Sequence, residues 1–271
     1  MVFRALALAL TLAFCPAARA EADLPPHPFE GLALSTAAVP AFIPGLVRGE
    51  VLEYELYWGI IKVGKAFLKA ESVVLISSRP AWHLVLEARS NSFIEKFYKV
   101  EDRHESWLDA ADLRSHGYYK KISEGGHFFN EWAVFDWAAS KFYGKKMNRK
   151  RVVSDFEGPL EKPVNDMLSA VYRVRSMRLE PGATMNLDVN TKRNWALTIK
   201  AGKREKIETD YGKKKCVILE PLVGDEGLFV AKAGRRMLIW VTDDELKVPM
   251  VLKAEIALGS ITGRLKKRTV Q

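Results

Sequence analysis

From Gly49 onward the chain carries a period-two alternation of apolar and polar side chains, and this constrains its fold more than any other feature. Leu52, Tyr54, Leu56 and Trp58 alternate with Glu53, Glu55 and Tyr57. Successive side chains of a strand point to opposite faces, so this spacing specifies a strand with one buried face. Gly59 permits a turn. The run Val63 to Ile76 then sets Ala66, Leu68 and Ala70 against Lys65, Lys69 and Glu71, completing a hairpin. The pattern returns at Trp82, Leu84, Leu86 and Ala88, less regularly through Tyr98 to Leu108, and again at Phe128 to Trp137. Further strands are expected at Met185–Val189, Trp195–Ala201, Glu205–Thr209, Lys215–Leu222, Arg236–Val241 and Val248–Leu258, with Asp243 and Asp244 in a turn.

Alternation through the aromatic-rich stretch puts Phe129, Phe135 and Trp137 on one face and Phe128 and Trp132 on the other. Either this is a central strand packed on both sides, or one of its faces is an aromatic wall for a ligand. One helix is expected at about 164–179, where Asn165 or Asp166 caps an apolar stripe of Met167, Leu168, Val171 and Val174. Arg173, Arg175 and Arg178 face elsewhere, and Pro181 with Gly182 ends the helix.

Residues 1–20 read as a cleaved export signal: Arg4 precedes the apolar run Ala5 to Phe14, and Ala18 and Ala20 are the small residues a signal peptidase reads. Phe14 before Cys15 does not fit a lipoprotein signal. Residues 21–48, with Pro25, Pro26, Pro28, Pro40 and Pro44, read as an exposed proline-rich leader, followed by a single β-rich domain over 49–267. Cleavage near Ala20 places the protein in the periplasm or outside the cell and removes Cys15. Cys216 is then the single thiol, so no internal disulfide and no multi-cysteine metal site is expected.

The sequence lacks Gly-x-Ser-x-Gly, His-Glu-x-x-His, a phosphate-cradling glycine loop and a dinucleotide fingerprint. No cofactor and no metal site is therefore expected. His104 shares a strand face with Asp102, an arrangement in which a carboxylate orients an imidazole, although an ordinary solvated strand face has the same pattern. Lys+Arg outnumber Asp+Glu by 42 to 33, for a formal charge of +9. The excess concentrates in Lys141–Arg151. For an exported chain its counterparts are anionic lipid headgroups or acidic glycans rather than nucleic acid.

Three blocks carry a family resemblance: Gly49–Tyr54 leading to Trp58, Gly59 and Val63–Ala66; Asn165–Tyr172; and Leu238–Asp244 with Pro249–Val251. In these the chain resembles the bacterial exported family known as domain of unknown function 3108. The resemblance implies an envelope-associated, mostly antiparallel β protein, with a sheet curled around the helix as in lipoprotein-carrier half-barrels. It implies no catalytic residues.

The expected fold class is thus mainly β: an antiparallel curled sheet or incomplete barrel with one covering α-helix. The leading functional expectation is a non-enzymatic envelope protein that binds an apolar or amphipathic ligand such as lipid. Tyr54, Trp58, Trp132 and Trp240 would contact the apolar part, and Lys145, Lys146, Arg149 and Lys150 an anionic headgroup, with peripheral contact to a membrane surface. Two alternatives stand beside it: an enzyme of envelope polysaccharide using a carboxylate pair such as Asp102 and Asp243, and a structural interaction domain with a filled interior.

Overall fold

Alternating runs become strands, and the strands become one sheet. The structure, a computed structural model, describes residue 24 and residues 26–36, 43–222 and 236–271; the signal-like segment 1–20, with Cys15, lies outside the described residues. The strands are β1 (Glu50–Trp58), β2 (Ile61–Ile76), β3 (Arg79–Ser90), β4 (Glu101–Asp109), β5 (Ser115–Glu124), β6 (His127–Asp136), β7 (Lys141–Met147) and β8 (Val153–Pro159). After helix α1 (Met167–Arg175) come β9 (Thr184–Asn190), β10 (Asn194–Thr209), β11 (Gly212–Leu222), β12 (Met237–Thr242), β13 (Pro249–Glu255) and β14 (Ser260–Val270).

β1 to β8 form one antiparallel meander and β9 to β14 a second. β1 pairs with β14, setting Tyr54 beside Leu265, and this joins them into a single sheet with β8 at one edge and β9 at the other. Strand twist makes so wide a sheet curl rather than lie flat. The two edges do not pair with each other, so the ladder stays open. The linker before the helix spans part of the gap: the carbonyl of Val164 accepts from Ser115 N–H on one side, and Asn165 bridges to Val189 on the other.

The helix lies inside the curl. Leu168 and Tyr172 pack into a core with Leu52, Leu68, Leu84 and Leu108. Met167, Ala170 and Val174 pack into a second with Leu187, Leu197, Val217 and Val241. Both sides are therefore buried, which goes beyond a helix that covers one face. At its start Asp166 caps the helix, Oδ1 accepting from Leu168 N–H at 2.9 Å and Ser169 N–H at 3.2 Å, while Oδ2 accepts from the hydroxyls of Ser106 and Ser115 at 2.5 and 2.7 Å.

Several expectations need correction. The regular helix is shorter than 164–179. Arg175, expected to face away from the core, is 1% exposed and donates from Nη1 to Oε2 of Glu50 at 2.8 Å. The two strands expected around Ala201 and Glu205 are one strand, β10, with an irregularity between Ala201 and Arg204. The described part of the 21–48 leader is not exposed throughout: Leu24, Phe29, Ser35 and Leu46 are buried, and Phe29 stacks on Trp107 with ring centroids 4.2 Å apart. Basic residues 141–147, read as a charge cluster, form β7.

Glu50 is fully buried and its second oxygen, Oε1, accepts from Arg268 Nε at 2.8 Å. Removing one partner of such a pair strands the other charges out of water, at about 3–5 kcal/mol. Glu50→Ala is expected to lower the unfolding free energy by about that amount in urea denaturation, whereas reversal of the exposed Glu157 to lysine is expected to change it by less than about 0.5 kcal/mol.

Candidate functional site

Register along the helix-facing, concave side creates a chemical gradient that no single strand contains. Cross-strand neighbours run Leu52, Leu68, Leu86, His104, Lys120, Glu131 and Lys146, from β1 to β7. At roughly 4.8 Å per strand this row is about 29 Å long. One half is aliphatic and the other ionisable. Leu52 and Leu68 are buried, and Leu86 is half-buried, as is Ala88, its inward-facing neighbour toward the rim that carries the β3–β4 turn. The helix thus seals the deeper rows and leaves this wall partly open.

At the charged end, three amines gather around one carboxylate. Glu131 accepts from the Tyr118 hydroxyl at 2.8 Å, and its oxygens lie 3.7 Å from Lys120 Nζ and 3.4 Å from Lys192 Nζ. Burial opposes ionisation of Glu131, but Lys120 and Lys192 outweigh it and hold the carboxyl below its ordinary value. Lys146 Nζ sits 4.9 Å from the Phe129 ring centroid, and Lys120 Nζ 4.3 Å from that of Tyr118. Burial lowers both lysines, and Lys192 presses Lys146 further down. His104 is buried, and burial with the nearby Lys120 pushes its pKa well below the ordinary value, so it stands neutral at pH 7. The solvated strand face is corrected here: Asp102 and His104 share a face, and it is a buried one.

Asp102 faces a carboxyl of its own. Its Oδ1 accepts from Ser123 N–H at 2.9 Å, while its Oδ2 and Glu124 Oε1 are buried without a hydrogen-bond partner. Burial, reinforced by the neighbouring Glu124, pushes Asp102 up to about 8. A proton held there supplies the donor that two carboxylates lack. Asp243 lies at the opposite rim, held by Arg204 and Lys215, each at 2.9 Å. Asp102 and Asp243 are therefore not brought together as a pair. Asp244 serves its turn, Oδ1 accepting from Leu246 and Lys247 N–H.

The four aromatic candidates do not converge. Tyr54 is buried and donates to the Pro249 carbonyl at 2.7 Å. Trp132 lies on the convex face, buried with Leu24 and Met147. Trp58 donates to the Leu258 carbonyl at 2.8 Å, and Trp240 to Glu205 at 2.5 Å. Of the four basic candidates, Lys146 alone faces inward toward Glu131. Lys145 pairs with Asp155 at 2.7 Å on the other face, and Arg149 and Lys150 stand exposed in the β7–β8 turn. Sequence reasoning missed Lys120 and Lys192, and cross-strand register is the signal that finds Lys120. A cavity of about 210 Å³ lined by Asp210, Met250, Val251 and Arg264 is smaller than the roughly 300–1,000 Å³ of small-molecule sites. Cys216 is buried, and burial raises its thiol to about 11, as an inert core residue. Among the described residues, no group of three His, Cys, Asp or Glu is arranged to hold a metal ion.

A family model described as "Protein of unknown function (DUF3108)" matches residues 53–266. No curated protein matches the chain. Among solved structures, a β-barrel-like protein of domain of unknown function 1849 from Brucella abortus aligns with TM-score 0.49 and 12% identity over 83% of this chain and 99% of that one. A protein from Parabacteroides distasonis described as a "putative lipoprotein" aligns with TM-score 0.30 and 9% identity over 84% and 98%.

Because the folded chain holds a proton on Asp102 that the unfolded chain releases near pH 4, stability is expected to be full below that value, to fall by up to about 1.4 kcal/mol per pH unit as pH rises, and to level off above about 8. Asp102→Asn is expected to remove this slope in urea titrations run from pH 5 to 9, and an unchanged slope would contradict the assignment.

Proposed function

The chain belongs to the DUF3108 family, and from that premise we propose that it is a non-enzymatic protein of the cell envelope, exported by its first twenty residues, that binds an amphipathic anion such as a lipid along the concave row. The observation that carries this reading is the row itself, in which partly open aliphatic side chains at Leu86 and Ala88 lead into the amines of Lys120, Lys146 and Lys192. An acyl chain gains from covering apolar wall that water otherwise touches, at about 25 cal/mol per Å². A phosphate or carboxylate head gains charge-assisted hydrogen bonds at the lysines.

The ionisable groups favour binding over catalysis. His104 is neutral and buried, Glu131 is committed to three partners, and Asp102 shares its surroundings with Glu124 rather than with a second carboxylate across an open cleft. The helix confines a ligand to the rim half of the curl, since Leu168 and Tyr172 already occupy the deeper half.

Native purification followed by organic extraction and mass spectrometry is expected to recover an anionic lipid or fatty acid. Titration with a fluorescent fatty acid is expected to show Lys146→Glu binding roughly tenfold or more weakly than the parent, the loss of one charge-assisted contact. Absence of both co-purified lipid and fatty-acid binding in the parent protein would overturn the reading, and the structural interaction domain would take its place.

A further inference from the structure

Large apolar side chains project from one rim of the sheet. The β1–β2, β3–β4 and β13–β14 turns emerge side by side there, because their strands are hydrogen-bonded neighbours. Ile60 is 96% exposed, Phe97 74% and Phe93 61%; Ile61 and Leu258 are exposed as well. The turns are tied to one another: Trp58 Nε1 donates to the Leu258 carbonyl at 2.8 Å, Gly59 N–H to the Ser260 carbonyl at 3.2 Å, and Asn91 Nδ2 to the Lys62 carbonyl at 2.6 Å. Asn91 Oδ1 also accepts from Phe93 and Ile94 N–H, which fixes the turn that holds out the two phenylalanines. These tips are built features of the rim.

Bases adjoin them along the same rim. Gly125, in the left-handed region at φ 52°, packs so closely on Tyr98 that a Cβ there would overlap the ring, and Gly126 lies against Arg149. The β5–β6 turn thereby connects the apolar tips to the β7–β8 turn with its exposed Arg149 and Lys150. Lys96 stands exposed between Phe93 and Phe97. Among the described residues, no carboxylate lies within ion-pair distance of Lys96, Arg149 or Lys150. The opposite rim carries Asp112, Asp210, Asp243 and Asp244 in its turns. The apolar tips and these bases therefore share one end of the molecule, whereas at the other end Asp112 pairs with Arg79 and Arg114, Asp210 with Lys266, and Asp243 with Arg204 and Lys215.

We propose that the rim bearing Ile60, Phe93, Phe97 and Leu258, with Lys96, Arg149 and Lys150 beside them, docks on the surface of an anionic lipid bilayer. Soluble monomers rarely hold out contiguous large apolar groups without something to cover them. Separate tips on turns penetrate a headgroup layer, where aliphatic and aromatic side chains reach the acyl boundary and each neighbouring Lys or Arg contributes about 1 kcal/mol. This docking goes beyond the concave-face reading and stands without it.

Cosedimentation of the full chain with vesicles tests it. Binding is expected to vesicles of phosphatidylglycerol and phosphatidylcholine in equal parts, not to phosphatidylcholine alone, and to weaken as salt rises. Ile60→Asp combined with Phe97→Asp, and separately Arg149→Glu combined with Lys150→Glu, are each expected to lower vesicle partitioning roughly tenfold or more. All four positions are exposed, so circular dichroism and melting temperature should stay at the parent values. The Ile60→Asp, Phe97→Asp double variant, altered only at exposed rim tips, is expected to bind free fluorescent fatty acid as the parent does, which separates failure of this proposal from failure of the ligand site. Docking is overturned if the parent protein stays in the supernatant with anionic vesicles, or if either double variant sediments as the parent does. It is equally overturned if sedimentation velocity shows a dimer that Phe97→Asp splits, since the rim would then be covered by a second copy.

Discussion

One buried carboxylate holds the two halves of the molecule to the helix between them. Glu50 opens β1, and its two oxygens accept from Arg175 at the end of the helix and from Arg268 near the end of β14. Arg175 also donates to the Leu246 carbonyl in the β12–β13 turn. Among the described residues, β1 with β14 is the ladder that makes one sheet of two meanders, and the helix has to thread that sheet after β8 is complete. Gly45, in the left-handed region at φ 74°, lies flush on Arg175, where a Cβ would stand 2.4 Å from the arginine's own. Three chain segments are thus fixed around one desolvated charge, and the curl takes its position relative to the helix from there.

Those contacts were only partly legible in the sequence. The strands of the first half were readable because their inward positions are apolar and their outward ones charged, as at Leu52, Tyr54, Lys65 and Lys69. The helix was readable because Asp166 and the stripe after it obey local capping and periodicity. Strands β5 and β7 escaped because their inward positions carry Lys120 and Lys146, so hydrophobic alternation is broken where the concave face turns polar. Arg175 reads as outward-facing in the sequence because its partner is 125 positions away, a distance that no periodicity reports. Trp132 reads as a ligand contact in the sequence because nothing near it in the chain shows that Leu24 covers the convex face at that point.

The same register that hid these strands creates the proposed binding surface. Each strand contributes one side chain to the row from Leu52 to Lys146, and the gradient exists only once all seven are paired. The helix caps its deep side through Asp166, whose Oδ2 accepts from the hydroxyls of Ser106 and Ser115. Toward the other rim the wall opens, and there the turns hold out Ile60, Phe93 and Phe97.

The central claim is that the concave row, and not the convex face, meets the ligand. Heteronuclear NMR of the methyl groups during titration with a short-chain anionic phospholipid tests it most directly, because successive residues along each strand point to opposite faces. The expected result is a saturable shift at Leu68, Leu86 and Ala88, with Val74 and Val85 on the opposite face unmoved. Shifts confined to Val74 and Val85, or no saturable shift at Leu86 and Ala88, would contradict the account.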